Sequence, residues 1–293
     1  MNHIFPIIVC FVTTIFLLKY LQDFAISIDL VDEPNYRKSH TGNIPLIGGI
    51  AIMGGFVVSV LLTPRSLNEW RPLFLSMVPL MIVGVLDDHK NIRVNIRIIV
   101  QSFSCLIMIY HANIRINHVG DLIGTGNIQV NGLETVFTIF CVISVLNALN
   151  LIDGIDGLCA ALSINALVGI IVLTQFSSYT ISISLVLYFV VALFAFTVVN
   201  LGFLKIYINK VFLGDMGTTV IGFFMCWVMI KFSQSETPLL RPITAVWLLA
   251  IPIMDTLTVM IHRIRMKKSP LDCDRTHIHH LLLGIGYSPL KVL

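Results

Sequence analysis

The sequence predicts an all-α polytopic membrane protein, and three observations carry that prediction. Charged residues make up 12% of the 293-residue chain, half the share of about 25% found in soluble domains. Apolar residues make up 56%. Residues 157–204 form a run of 48 positions without one Asp, Glu, Lys or Arg, which is room for two helices, since a bilayer span takes about 20 residues. A soluble two-domain enzyme, a disordered chain and a disulfide scaffold are excluded by these figures. The net charge of +3 is too small to argue for a nucleic-acid partner. Five of the six cysteines sit in apolar runs, only Cys273 lies among charges, and no C-x-x-C spacing occurs, so neither a metal knot nor a disulfide framework is indicated.

Nine spans are expected, at 3–20, 45–63, 72–87, 97–112, 134–149, 158–175, 181–200, 214–232 and 243–262, in a single integral membrane domain over 1–293. The first is read as a span and not as a removed signal peptide, because it lacks a cationic start and a small-residue cleavage site. Spans six and seven are separated by a turn at Phe176-Ser177-Ser178-Tyr179. An odd number of spans places the two ends on opposite sides. Twelve Lys and Arg residues fall in the loops after the odd-numbered spans and five (Arg65, Arg71, Arg115, Lys231, Arg241) in the others. The positive-inside rule then puts the N-terminus outside and the twelve-cation face in the cytoplasm. The Gly- and Asn-rich segment 113–132 is expected to form a small external hairpin. No internal repeat is visible, which weighs against the repeat-built transporter folds.

The unusual polar residues all fall on the face assigned to the cytoplasm. Asp32-Glu33-Pro34-Asn35-Tyr36-Arg37-Lys38-Ser39-His40 follows span one, and Asp87-Asp88 ends span three. Asn147, Asn150, Asp153 and Asp156 lie between spans five and six; Gly214-Asp215-Met216-Gly217 opens span eight; Asp274-Arg275-Thr276-His277-Ile278-His279-His280 follows span nine. Each group alone has an ordinary structural reading. Asp87-Asp88 suits a solvated helix end, Arg37-Lys38 a membrane anchor, and a lone carboxylate near residue 153 a helix N-cap. Two carboxylates and two asparagines inside an otherwise uncharged stretch of 70 residues exceed what capping needs. Carboxylates without a thiolate partner suit a hard cation such as Mg²⁺, which takes one or two carboxylates plus substrate phosphates. The histidines, without a cysteine or fourth ligand, suit phosphate oxygens better than zinc. These residues point to phosphoryl transfer at the membrane surface, with a lipid as the second substrate.

At these residues the chain resembles the polyprenyl-phosphate N-acetylhexosamine-1-phosphate transferases, from Val31 to about Ser288. The resemblance rests on 31–40, 45–49, 84–88, 147–158, 211–217 with Ile221-Gly222, 251–255 and 269–280. The order His-Ile-His-His after Asp-Arg follows the branch that transfers GlcNAc-1-phosphate, and not the triple-His branch acting on a muramyl-pentapeptide nucleotide. The resemblance implies transfer of GlcNAc-1-phosphate from UDP-GlcNAc to undecaprenyl phosphate, giving undecaprenyl-diphospho-GlcNAc and UMP. That is the initiating step of lipid-linked surface polysaccharide (O-antigen or common antigen) synthesis. It implies Mg²⁺, with Mn²⁺ as an alternative, a multi-pass protein of the bacterial inner membrane surrounded by lipid, no nucleic-acid partner, and room for a homodimer. By motif, Asp215 would bind the metal. Asp87 and Asp88 would bind magnesium or deprotonate the lipid phosphate, and Asn147, Asn150, Asp153 and Asp156 would hold nucleotide and metal. Arg37, Lys38, His40, Arg275, His277, His279 and His280 would contact substrate.

Two departures stand out. The family has a lysine where this chain reads Val94-Asn95-Ile96-Arg97, and it continues past the histidine segment with one or two further spans, whereas this sequence stops at Leu293. A histidine loop tethered on one side only is expected to be more mobile and the activity weaker. The rival readings are the same chemistry on another UDP-N-acetylhexosamine, an inactive relative and, more distantly, a secondary transporter.

Overall fold

The computed structural model describes residues 3–34, 42–63, 66–175, 183–269 and 276–293, with the side chains of 66–69 left out. Helices occupy every region expected to span: α1 (Ile4–Ser27), α2 (Gly48–Leu61), α3 (Ser66–Lys90), α4 (Val94–Ala112), α5 (Glu134–Ile152), α6 (Leu158–Gln175), α7 (Ser184–Asn200), α8 (Gly214–Ser233) and the pair α9 (Pro242–Leu248) and α10 (Ala250–Arg265). Two short helices follow, α11 (Ile278–Gly284) and α12 (Pro289–Val292). Among the described residues, six helices are long and apolar enough to cross a membrane, or seven if the bent pair counts as one span. These are the helices of a multi-pass membrane protein.

The count differs from the nine expected, for physical reasons. At 14 residues, α2 reaches about 21 Å at 1.5 Å per residue, short of a hydrocarbon core about 30 Å thick. Its start is fixed where Gly48 and Gly49 donate their backbone N–H groups to the carbonyls of Phe212 (2.9 Å) and Leu213 (3.0 Å). The described part of α7 has 17 residues, and the turn expected at 176–179 lies outside the described residues. The expected ninth span is two helices bent by 78°. Pro252 explains the break, because it lacks the N–H that would bond Leu248 and its ring crowds that carbonyl.

The bundle is organised around α8, which is buried over 94% of its apolar stretch and packs on α2, α3 and α5. Phe189 of α7 stacks on Phe224 of α8 with centroids 3.9 Å apart, and Phe56 of α2 meets both edge-on at 5.2 and 5.5 Å. Such offset and edge contacts add to area burial. By contrast, Phe5, Val12, Phe16 and Phe24 of α1 are exposed, as on a helix whose outer face meets lipid.

Two features of the loops bear on the site. Val31–Asp32 (β1) pairs antiparallel with Ile44–Pro45 (β2), and Pro45 accepts from the N–H of Phe212 at 2.9 Å. This two-residue ribbon was absent from the sequence reading, being too short for a period-2 signal. The hairpin expected in 113–132 forms with one isolated bridge, His118 to Gln129.

Close helix approach depends on missing side chains. A Cβ on Gly49 would lie 2.5 Å from the Gly217 Cα, and one on Gly84 would collide with the Cα of Met216. Gly84→Val should therefore separate α3 from α8 at an overpacking cost of about 1–3 kcal/mol. Gly284→Ala, where no atom lies within 4 Å of the new Cβ, should be neutral. Thermal unfolding of both variants in detergent checks the contrast.

Candidate active site

One cavity of about 1210 Å³ opens at the end of the bundle where α3 and α5 finish and α8 begins. Asp87 and Asp88 reach it from α3, Asn150 from the end of α5, Asp153 and Asp156 from the α5–α6 turn, Asp215 from α8 and His280 from α11. Residues far apart in the chain thus share one space. Asn147 does not line it; its amide donates to the Ile143 carbonyl of its own helix at 2.8 Å. Arg37, Lys38, His40 and Arg275 lie outside the described residues.

Asp88 ties α3 to the start of α8. Its Oδ1 accepts the N–H of Asp215 at 2.6 Å and its Oδ2 that of Met216 at 3.2 Å. Those are donors that a helix leaves unpaired in its first turn, so Asp88 caps α8 from another helix. Gly214, with φ of +77°, lets the chain enter the helix at this angle. Asp87 is 5% exposed, and it accepts from the Ile92 N–H and from Arg97 Nη1, both at 2.7 Å. The Arg97 nitrogen lies 3.8 Å from Asp215 Oδ2. The other oxygen of Asp215 accepts from Asn150 Nδ2, which also reaches Thr218 Oγ1 at 3.1 Å.

The α5–α6 turn holds the second group of charges. Asp156 pairs with Lys210 at 2.6 Å, and the Lys210 ammonium lies 5.0 Å from the centre of the Phe212 ring. Asp153 receives no hydrogen bond among the described residues. Burial, with the charges of Asp215 and Asp156 behind it, pushes its pKa up to about 7. Gly154 is a seat for His279, whose Nε2 would collide with any Cβ there. His279 is 1% exposed, both ring nitrogens lack partners among the described residues, and burial lowers its pKa to about 4. His277 is buried too, and its Nδ1–H donates to Asp255 Oδ2 at 2.7 Å, while Asp255 Oδ1 accepts the Ile278 N–H at 2.8 Å.

Two lining residues, Lys210 and Thr218, carry no mark in the sequence beyond the general one, and Arg97 joins them from behind as the partner of Asp87. In sequence Lys210 and Arg97 are simply cations of the loops assigned to the cytoplasm, and nothing there singles out Thr218 except its spacing of three from Asp215, one helical turn. Asp29, Asp32 and Glu33 line the cavity as well.

Eight carboxylates and a single lysine line this cavity among the described residues, a charge imbalance that suits a bound cation. Among those residues, no three His, Cys, Asp or Glu side chains gather closely enough to hold a metal alone. Of the five carboxylates that come from α3, the α5–α6 turn and α8, Asp87, Asp88 and Asp156 are closely engaged by donors, which leaves Asp153 and the Asp215 Oδ2, 3.8 Å from Arg97. A pair of carboxylates completed by phosphate oxygens and water is the donor set that Mg²⁺ takes, so the residues present fit that ion.

Comparison with known proteins agrees with this architecture. The family model described as glycosyl transferase family 4 matches residues 70–233. The undecaprenyl-phosphate alpha-N-acetylglucosaminyl 1-phosphate transferase of Yersinia pestis is 36% identical over 267 residues, 90% of this chain and 72% of that protein. The protein of that name from Pasteurella multocida (strain Pm70) is 37% identical over 284 residues, 96% and 78% of the two chains. The one from Escherichia coli (strain K12) is 33% identical over 278 residues, 94% and 75%. With more than half of its length matched by the family model and relatives above 30% identity along most of it, this chain belongs to glycosyl transferase family 4.

Proposed function

We propose that this chain transfers GlcNAc-1-phosphate from UDP-GlcNAc to undecaprenyl phosphate, releasing UMP, at the cytoplasmic face of a bacterial inner membrane. The observation that carries the reading is the meeting of Asp87, Asp88, Asn150, Asp153, Asp156, Asp215 and His280 around one cavity at the end of the bundle where α3 and α5 finish and α8 begins. The relatives' name specifies the acceptor and the group transferred. The product would start a lipid-linked surface polysaccharide such as O-antigen or common antigen.

In the reaction, an oxygen of the lipid phosphate attacks the β-phosphorus of the nucleotide sugar. A new P–O bond forms, the bond to the bridging oxygen breaks, and UMP leaves with that oxygen. A phosphate monoester has a second pKa of about 6, so the nucleophile is already charged at neutral pH and needs little help from a base. Positioning and charge neutralisation then carry the rate. Asp215 and Asp153 would hold Mg²⁺, or Mn²⁺ in its place, which when bound supplies positive charge to the diphosphate oxygens. Asn150 orients Asp215, Lys210 balances Asp156, and the exposed Gly154 lets a phosphate approach the backbone. Asp88, with both oxygens committed to backbone donors, acts as the brace of Asp215 and not as a base.

The nine-span topology and the orientation belong to this proposal, with α2 and α7 as short spans inside the bundle. A cysteine placed at Lys267 should be shielded from an impermeant thiol reagent outside intact cells, while one at Gly126 reacts; reversed labelling overturns the cytoplasmic assignment.

Asp215→Asn keeps the side-chain shape and removes the charge. Turnover of UDP-GlcNAc with undecaprenyl phosphate should fall by at least about 100-fold, while the variant inserts and unfolds like the parent. Release of UMP at the parent rate removes Asp215 from the site.

The raised pKa of Asp153 has a thermodynamic sign. Its folded-state value of about 7 lies above its unfolded one, so without divalent ion stability falls as pH rises from about 4 to 7 and is then level. Asp153→Asn should therefore raise the unfolding midpoint of chelator-treated protein at pH 8, by roughly 2–4 °C per kcal/mol of repulsion relieved. The gain should vanish towards pH 4, and added Mg²⁺ should stabilise the parent more than the variant. Thermal scans with and without chelator check both statements.

A further inference from the structure

We propose that only His280 of the three described histidines in the 276–280 segment meets the substrate phosphates, and that Asp255 is the residue that positions it, through His277. The substrate named in this inference rests on the phosphotransfer reading above; the division of labour among the histidines rests on geometry.

His280 lines the cavity together with Leu283 and Gly284 of the same helix. His277 and His279 do not line it and are 4% and 1% exposed. Their surroundings explain why they are present. A helix of seven residues is too short to hold itself together, because the first turn costs more order than one hydrogen bond returns. Asp255 on α10 supplies the missing support with both carboxylate oxygens. One accepts the Ile278 backbone N–H at 2.8 Å, and the other accepts the His277 Nδ1–H at 2.7 Å. The grip passes along the segment ring by ring. His277 and His279 lie nearly parallel, 11° apart with centroids at 5.9 Å, and His279 and His280 are 4.2 Å apart. His279 is wedged against Gly154, which fixes α11 over the turn carrying Asp153 and Asp156. Asp255 thus sets where His280 stands relative to those two carboxylates without touching substrate itself.

The inference separates side chains that look equivalent in sequence. Asparagine at position 277 can place its amide N–H where the imidazole Nδ1–H donates, so it keeps the bond to Asp255 while removing the ring nitrogen that a substrate contact would use. His277→Asn in the full chain should therefore keep turnover within about threefold of the parent, whereas His277→Ala and Asp255→Ala each lose at least about tenfold in kcat through misplacement. His280→Asn should instead raise KM for UDP-GlcNAc by about tenfold or more. Asp255 and His277 should also be coupled in stability, the double alanine variant unfolding no earlier than the worse single one.

A second readout needs no turnover. Diethylpyrocarbonate, followed by peptide mass mapping, should modify His280 and leave His277 and His279 untouched. Mg²⁺ with UDP-GlcNAc should protect His280, and Asp255→Ala should expose all three. An inactive His277→Asn variant, or substrate-protected modification of His277, overturns the proposal. If the parent releases no UMP, the transfer reaction fails. The modification pattern and the Asp255–His277 coupling still decide the positioning claim.

Discussion

The carboxylate of Asp88 is the contact on which the rest of the site depends. The first turn of α8 emerges inside a crowded bundle, where backbone donors without acceptors are costly. Asp88 takes two of them, from Asp215 and Met216. Gly84, one turn earlier on α3, leaves the space in which Met216 sits. A single face of α3 therefore both clears and caps the entry of α8. Asp215 leaves that capped turn with its side chain directed to Asn150 on α5, so three helices meet at one carboxylate. The loop before α8 is held from the other side, by the bonds of Gly48, Gly49 and Pro45 to residues 212–213.

The same logic recurs at the other edge of the cavity. Asp255 caps α11 as Asp88 caps α8, each carboxylate reaching from a long helix to the backbone of the element that carries site residues. Arg97 and Lys210 then offset Asp87 and Asp156. Most of the acidic side chains lining this cavity beside α3, α5 and α8 are thus engaged in holding the architecture. Asp153 receives no such donor among the described residues, and the remaining oxygen of Asp215 lies 3.8 Å from Arg97, in a surrounding negative enough to favour a cation with phosphate ligands. Four of the site carboxylates are adjacent in pairs or three apart in sequence, yet partners on other helices give them different roles.

Much of this was legible beforehand. The apolar runs marked where helices lie, because a lipid-facing helix must be apolar over a length set by the bilayer. The polar clusters at 87–88, 147–156, 215 and 277–280 stood out because charge is scarce elsewhere. What could not be read were features created by contacts between segments. The break between α9 and α10 follows from Pro252, which lies inside the stretch 243–262 whose apolar length alone suggests one continuous span. The β1–β2 ribbon has two residues per strand, too few for a pattern. Asn147 and Asn150 look alike in sequence, but three positions on a helix turn them to different neighbours, and only Asn150 meets Asp215.

The sequence by itself determined the class of protein, the helices, the family resemblance and the short set of residues able to carry phosphate chemistry. Composition and motif order are local properties, and hydrophobic length acts on each helix separately. Only the tertiary structure decided which carboxylates brace the fold and which are left for a ligand. It also decided that His280, alone of the three described histidines in the 276–280 segment, lines the cavity, and that Lys210 pairs with Asp156. Those distinctions depend on which donor from a distant helix reaches which oxygen. A hydrogen bond is made or lost within a few tenths of an ångström, a precision set by packing around α8 and not by residue type.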